Sequence, residues 1–379
     1  MILRNVTHLP LLQRVGIATA ILTLPHSGAV YAATWQSAVA LPMTVEHDTN
    51  PLLNPGNQKA VTRTIIAPDV TLLGTSGADE FRFGLGVNVE RSSDPDIVLD
   101  REDPRVLLGW QRETEKGAFG LAAKYVETST LSTTVLDTGV VAPDGTQKLY
   151  SLAGNWKTAL TERSTLANDT EYASVNYDID TLTSYDELST RFTWSYAWSE
   201  RTELFTRFGV RHYEPESDAV VESSDSYTPT VGVNYQFSER FKGSLYAGVN
   251  KVSGTGDGPT GQGGVTLQYT GERVETSFDA SRGTVASGDG GFNEVDDVRG
   301  VWSYSIDELS RTGFDASWQD SKGQIPNTLR QYGVWASREL SPFWVARLSF
   351  TYKERQQDGL QDANANIIGM TLTYSHPDF

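Results

Sequence analysis

Several segments of this sequence alternate apolar and polar side chains residue by residue, and this pattern constrains the fold more than any other feature of the chain. In the segment 81–90, phenylalanine, leucine and valine occupy the odd positions, whereas arginine, glycine, asparagine and glutamate occupy the even ones. The segments 227–237 and 344–353 show the same two-residue period. A β-strand sends successive side chains to opposite faces, so the pattern predicts strands with one apolar face and one polar face.

A turn that contains glutamate recurs along the chain. The glutamates at 162, 200, 239, 272, 308 and 339 are 31 to 39 residues apart, which fits one hairpin of two strands with its loop. Short turns are therefore predicted near residues 77, 115, 160, 200, 239, 272, 308 and 341, with longer loops between them. The sequence predicts an all-β, closed antiparallel transmembrane β-barrel of about 18 strands, with both termini in the periplasm. Because the first strand, Trp35–His47, is the weakest, 16 strands is the fallback.

The first 32 residues have the features of a cleaved signal peptide. Arg4 and Arg14 precede the short apolar run 15–24, and small residues follow up to Ala32. The mature chain, 33–379, contains no apolar run of the roughly 18 residues that a transmembrane helix needs. It also contains no cysteine, so no disulfide holds the exported fold together. Export without a helical anchor is compatible with an outer-membrane barrel, but also with a secreted β-sandwich.

Three features favour the membrane barrel over the sandwich. Tight turns alternate with longer loops, as periplasmic turns alternate with external loops in such barrels. Aromatic residues, among them Trp110, Trp156, Trp198 and Tyr235, lie next to the short turns, as in an interfacial girdle. Many polar-face positions are Gly, Ser or Thr, which leaves an interior open. We therefore expect a protein of the cell outer membrane that contacts lipid and lipopolysaccharide.

The last strand carries a further signal. Gly369, Leu372 and Tyr374 stand in a Gly-x-x-Φ-x-Φ arrangement, where Φ is a hydrophobic residue, and the chain ends in Phe379. This arrangement resembles the terminal signal that the barrel-assembly machinery reads. Residues 375–378 intervene before the end of the chain, which departs from the usual pattern. The assembly machinery is thus an expected partner.

Carrying the alternation through each strand assigns a set of basic side chains to the lumen. The chain has a formal net charge of −17, which argues against a nucleic-acid partner. The inferred inward acids are few: Asp69, Glu90, Glu275, Asp279 and Asp315. Charges along a low-dielectric pore focus its field, so an excess of bases predicts an anion pathway. The alternative is that these charges form structural pairs across the lumen. The predicted lumen bases are Arg63, Arg82, Lys124, Arg191, Arg207, Arg211, Lys242, Arg299, Arg311, Arg347 and Lys353.

The long loop Glu127–Thr146 contains the apolar residues Val135, Leu136, Val140 and Val141. Apolar residues in an external loop predict that it folds back against the barrel wall and narrows the pore. The alternative is a hairpin that extends above the membrane.

The mature chain offers little for catalysis. Its histidines are His47, His212 and His376, and none stands in a pattern with a nucleophile and an orienting acid. No phosphate loop, metal-ligand cluster or haem motif is present, so the sequence predicts neither a metal site nor a cofactor, and no enzymatic activity.

The opening loop His47-Asp48-Thr49-Asn50-Pro51, the Tyr-x-Phe-Ser-Glu-Arg turn at 235–240 and the basic lumen resemble the outer-membrane barrels associated with exopolysaccharide export, such as the alginate exporter. The resemblance implies a passive conduit for an anionic exopolysaccharide, with a periplasmic export protein as partner. A general or anion-selective diffusion porin is the alternative, and a rim-site enzyme or adhesin is a third hypothesis. No ligand residue follows from the resemblance.

Overall fold

The structure, a computed structural model, describes residues 33–56, 58–138, 143–216, 222–253, 258–323 and 326–377, without the side chains of 135–138. The predicted signal peptide, Val140, Val141 and Phe379 therefore lie outside the described residues. The described chain forms 19 strands in one antiparallel sheet and one short helix. The elements are β1 (Thr34–Asp48), β2 (Val61–Ile66), β3 (Asp69–Ser76), β4 (Asp79–Ser92), β5 (Arg101–Thr114), β6 (Gly117–Ser129), α1 (Thr130–Thr138), β7 (Thr146–Ala159), β8 (Ser164–Tyr177), β9 (Tyr185–Ser199), β10 (Thr202–Pro215), β11 (Ser224–Ser238), β12 (Phe241–Val252), β13 (Thr260–Thr270), β14 (Val274–Ala286), β15 (Phe292–Ser305), β16 (Ser310–Ser321), β17 (Asn327–Ser341), β18 (Trp344–Gln357) and β19 (Ala363–Pro377).

The sheet closes on itself, because β1 pairs with β19 along eleven residue pairs from Ala38–Pro377 to Asp48–Ile367. Strands β2 and β3 occupy a single position in the ring, since both pair with β1 on one side and with β4 on the other. The break between them falls at Ala67-Pro68, where proline cannot donate a ladder hydrogen bond. The ring thus has 18 positions, and the predicted barrel of 18 strands is confirmed.

The short turns all lie at one end of the barrel, where both ends of the described chain also lie. They fall between β3 and β4, β5 and β6, and so on to β17 and β18, at the positions that the repeated glutamate turns predicted. The turn after β3 has Gly77 at φ 60°, a conformation that a side chain disfavours. The longer connections, including α1, lie at the opposite end. In a barrel of this type the short-turn end is periplasmic.

The outward face of the barrel is apolar. Leu152, Leu245 and Leu348 are 60%, 57% and 60% exposed, although each sits in the middle of a strand. Exposed aromatic residues, such as Trp156, Trp194, Tyr235 and Phe237, lie outward near the short turns. Apolar surface of this extent is found on proteins that contact lipid rather than water, with aromatic side chains at the interface. The predicted apolar-out pattern of a membrane barrel is therefore confirmed.

No helix among the described residues is long and apolar enough to cross a bilayer.

The opening loop clamps the seam between the first and last strands. Asn50 is 2% exposed, and its Nδ2 donates to the carbonyl oxygens of Asn364 in β19 and of Asn54 in the loop, both at 3.0 Å. The Asn50 Oδ1 accepts from the Asn54 backbone N–H, and the Asp48 Oδ1 accepts from the Asn50 backbone N–H. Leu53 then packs inside the barrel against Leu329, Ala363 and Ala365. The Asp-Thr-Asn-Pro motif thus has a clear structural role in closing the barrel. In β19, Leu372 and Tyr374 face outward, whereas Gly369 faces inward opposite Glu46 and Ser349.

Replacement of Asn50 by alanine is expected to lower the free energy of unfolding by about 1–3 kcal/mol, because it leaves buried backbone groups at the seam without partners. Urea unfolding of the detergent-solubilised protein, followed by tryptophan fluorescence, measures the change. Asn54→Ala is the matched control, since the Asn54 side chain makes no hydrogen bond among the described residues. Equal stability of the two variants would show that the Asn50 side chain does not stabilise the closure of the barrel.

Candidate functional site: the lumen and its mouth

The strand register assigns side chains to the inward face, because residues directly opposite each other in neighbouring strands share a face. Arg191, for example, lies opposite Asp169 in β8 and Gly209 in β10, whereas its neighbour Phe192 lies opposite Asn168 and the lipid-facing Phe208. By this criterion, every one of the predicted lumen bases points to the side away from lipid.

The inward face carries more acids than the alternation pattern assigned. The register adds bases too, so inward acids and bases are close to balanced, and the expected overall excess of bases is wrong. The sequence-based assignment failed because it left out most strand ends, where loops hide the two-residue period. It also left out β8, whose outward face carries the polar residues Asn168 and Thr170, so that the strand shows no apolar–polar alternation. The added acids are Glu46, Asp48, Glu80, Asp103, Glu113, Asp169, Glu171, Glu187, Glu203, Asp297 and Glu339, and the added bases are Arg101, Arg105, Lys157 and Arg355.

The two signs are distributed unequally around the ring. On β1–β5 the arginines are neutralised: Arg63 pairs with Glu46 and Glu90, Arg101 with Asp103 and Asp144, and Arg105 with Asp69 at 2.9 Å. Arg101 and Asp144 are almost fully buried, with side chains 5% and 2% exposed.

On β9–β18 the inward bases are mostly free of such pairing. Arg211 pairs with Glu187 at 2.5 Å, but among the described residues the other inward bases of these strands form no ion pair. These unpaired bases are Arg191, Arg207, Lys242, Arg299, Arg311, Arg347, Lys353 and Arg355. The same strands carry fewer inward acids than their nine inward bases: Glu187, Glu203, Glu275, Asp279, Asp297, Asp315 and Glu339. The wall formed by β9–β18, here called the basic wall, is therefore the electropositive side of the lumen, and its unpaired bases keep their field available to a passing ion.

A cavity of about 750 Å³ opens along the inner side of β4–β11. Small inward residues such as Gly109, Gly120 and Ala153 leave this space open, and Arg82, Arg191, Glu80 and Glu171 are among the charged side chains that line it. It is large enough for small solutes, because ligand pockets of known proteins span about 300–1,000 Å³.

The connection between β14 and β15 folds over the lumen. Gly290 and Gly291 make its tip with φ values of 114° and 71°, which only glycine adopts readily. The tip reaches β10 across the inner side of β11–β13: the Tyr213 hydroxyl donates to the Ser287 carbonyl at 3.3 Å, and Arg211 Nη1 donates to the Thr284 carbonyl at 2.7 Å. We call residues 284–294 the inner hairpin.

The inner hairpin is packed as well as hydrogen-bonded. Ala286 and Phe292 contact an inward cluster of Val175, Tyr185 and Tyr213, in which Tyr213 is fully buried. The Arg211 guanidinium carbon lies 4.7 Å from the centre of the Phe292 ring. Burial also raises the pKa of the Asp289 carboxyl at the hairpin tip. Arg211 therefore positions the hairpin rather than standing free in the pathway, which refines its predicted role.

Helix α1 spans the mouth from another direction. It follows β6, yet Cα atoms of α1 come within 8 Å of Cα atoms of β16, which lies far around the ring. Leu131 packs against Val61 and Val98, the latter in the β4–β5 loop. The backbone of α1 thus turns across the mouth, as the first of the two alternatives for the loop Glu127–Thr146 predicted. The side chains of Val135 and Leu136, and the residues Val140 and Val141, lie outside the described part of the chain.

His47, His212 and His376 all lie on the outward face of the barrel wall. His212 Nδ1 is 2.8 Å from Asp225 Oδ1, and His47 Nδ1 is 2.9 Å from Thr62 Oγ1. Among the described residues, neither of these two histidines contacts both a hydroxyl group and a carboxylate, as a catalytic relay would require. His376 stacks on Phe343 with ring centres 4.8 Å apart near the short-turn end.

The sequence analysis missed the inward aromatic side chains Phe205, Tyr213 and Trp335. The alternation in β10 and β17 gives their parity, but the prediction considered aromatic residues only as an interfacial girdle next to the short turns and gave these three no place in the lumen. The position of an aromatic residue in the alternation, rather than its type, separates an inward aromatic from an outward one.

No family model matches this sequence, and no curated protein matches it. Solved structures match its fold. OpdQ of Pseudomonas aeruginosa aligns with a TM-score of 0.52 at 7% identity, over 91% of this chain and 99% of that chain. OccAB3 of Acinetobacter baumannii aligns with a TM-score of 0.51 at 9% identity, over 91% of this chain and 99% of that chain. OpdK of Pseudomonas aeruginosa, crystallised with vanillate, aligns with a TM-score of 0.50 at 10% identity, over 90% of this chain and 98% of that chain. The chain has the fold of outer-membrane β-barrels, and the predicted outer-membrane location stands.

Proposed function

We propose that this protein is a porin-type diffusion channel for small anionic solutes. The observation that carries the proposal is the unequal pairing of charge: the arginines of β1–β5 are ion-paired, whereas the basic wall keeps most of its bases unpaired. A channel whose bases are neutralised by fixed acids attracts anions only weakly. One with free bases raises the local concentration of anions and favours their passage.

The fold supports a channel, since barrels of 16–18 strands generally enclose water. The structure of OpdK with vanillate gives an example of a barrel of this fold with a small carboxylate. The mouth favours small solutes over a polymer, because α1 and the inner hairpin both cross it. This diffusion-porin alternative is therefore preferred to the exopolysaccharide conduit.

In planar bilayers the protein is expected to form an open pore that prefers chloride to potassium at low salt. The preference should weaken as salt rises, because the Debye length falls from about 10 Å at 0.1 M to about 3 Å at 1 M. Joint replacement of Lys242, Arg299 and Arg311 by glutamate should move the reversal potential toward cation selectivity.

Lys251→Glu is the control for this experiment, since Lys251 is exposed on the outward face. A wild-type pore that prefers cations at low salt would overturn the proposal. Permeation assays in liposomes separate it from export: glucuronate should pass quickly and alginate polymer should not. Rapid passage of the polymer would instead favour the exopolysaccharide conduit.

A further inference from the structure

Two inward arginines of the basic wall rest on the faces of aromatic rings. The guanidinium carbon of Arg207 lies 4.1 Å from the centre of the Phe205 ring. The guanidinium carbon of Arg347 lies 4.2 Å from the centre of the Trp335 ring. Neither arginine forms an ion pair with any described residue, so a ring face is the fixed partner of each cation.

Each ring in turn covers a glycine of the neighbouring strand. Phe205 is 2% exposed and covers Gly232 of β11, where a Cβ atom would collide with the ring. Trp335 covers Gly313 of β16, where a Cβ would come within 2.5 Å of the indole. The register makes both pairs direct neighbours on the inward face. A side chain at either glycine would lift the ring off the wall. The same three-layer arrangement of glycine, ring and guanidinium therefore occurs twice.

The two arrangements face each other across the lumen. Between β10 and β18 the ring contains β11–β17 on one side and β19 and β1–β9 on the other, so the two strands are nearly opposite. Arg207 follows the first residue of β10, Thr202, by five positions, and Arg347 follows the first residue of β18, Trp344, by three. Both strands begin at the short-turn end, so both guanidinium groups lie in the periplasmic half of the barrel.

An arginine held on a ring differs from a free one. A cation–π contact stabilises the guanidinium group over the ring, which restricts the long side chain. The N–H groups lie in the guanidinium plane, where they can donate two parallel bonds to a carboxylate or sulfate. Restricting the side chain beforehand lowers the entropy that a solute must remove on binding.

We propose that Arg207 and Arg347 form a facing pair that binds the carboxylate or sulfate groups of solutes, and that Phe205 and Trp335 are its positioning residues. This proposal rests on the proposed anion channel and adds the specificity site to it. A solute with an acidic group can engage either arginine of the pair. The remaining unpaired bases raise the anion concentration without holding a particular group.

The test measures block of small-ion current by glucuronate in planar bilayers, with reversal potential recorded on the same channels. Phe205→Leu and Trp335→Leu keep every charge of the lumen. Each is expected to weaken glucuronate block about five-fold, the loss that a cation–π contact at a partly desolvated site corresponds to. Anion preference in the reversal potential should be retained. Phe208→Leu and Trp302→Leu, which alter exposed outward rings, are the matched controls.

Three further variants guard against a folding defect. Arg207→Lys and Arg347→Lys keep the charge and the ring but remove the planar fork, so they should weaken block while anion preference persists. Gly313→Ala keeps all charges and both rings and should weaken block by displacing Trp335. Proper folding of each variant is checked by its faster migration in unboiled than in boiled gel samples.

The outcomes separate the two proposals. Unchanged block in the leucine and lysine variants of an anion-selective pore overturns the facing pair and leaves the anion channel standing. A cation-selective wild-type pore overturns the anion channel and the facing pair with it. Weakened block confined to the inward variants, with anion preference intact, supports both.

Discussion

Leu245→Arg is expected to destabilise the barrel by about 2–4 kcal/mol, whereas Ser244→Arg, one residue earlier, should leave its stability nearly unchanged. Leu245 is 57% exposed on the outward face, in the middle of β12. Its side chain lies between Phe241, near the short turns, and Lys251, near the long loops, so an arginine there would meet hydrocarbon. Ser244 lines the lumen between Asn234 and Thr266, where an arginine remains in water.

The comparison is measured by folding both variants into lipid vesicles and titrating with guanidinium chloride. Assembly in cells gives a second readout, since Leu245→Arg should lower the amount of folded barrel in the outer membrane. Leu245→Ala controls for the loss of the leucine side chain. Equal stability of the two arginine variants would mean that β12 is shifted by one residue, which would invert every inward and outward assignment in that strand.

Removal of the inner hairpin is expected to raise single-channel conductance strongly. Gly283 and Val295 are directly opposite each other in the register, so a two-residue Asn-Gly turn can replace residues 284–294 without disturbing the wall below. The deletion removes the backbone that Arg211 and Tyr213 hold across the lumen. A wider water path carries more current, and the anion preference set by the basic wall should remain.

The β18–β19 connection offers the matched control. Leu360 in that connection is 51% exposed, and replacing residues 358–361 by a similar turn alters the same end of the barrel without touching the inner hairpin. Conductance should then stay at the wild-type value. A hairpin deletion that conducts no better than this control would show that the inner hairpin does not limit the pore, and would leave α1 as the element that does.

The sequence by itself determined the strands and turns that form the barrel wall. The two-residue alternation in 81–90 and 344–353 specified strands with one lipid-facing side, and the glutamate turns specified where each hairpin reverses. Both are local properties of the backbone, because a strand alternates its side chains whatever lies beside it. For this reason the strand number, the turn positions and the inward direction of bases such as Arg82 and Arg191 could be predicted.

Only the tertiary structure decided what fills the barrel. Loops lack periodicity, so nothing local indicated that 284–294 would cross to Tyr213 or that α1 would reach β16. Charge pairing was equally hidden: Arg101 pairs with Asp144, which is 43 residues distant in sequence, while Arg207 forms no ion pair with any described residue. Arg347 lies on Trp335, and Trp335 lies over Gly313, because of the register between their strands. A pore exists only once the whole sheet has closed. Which side chains then face each other across the lumen depends on that closure, and the strands taken singly do not specify it.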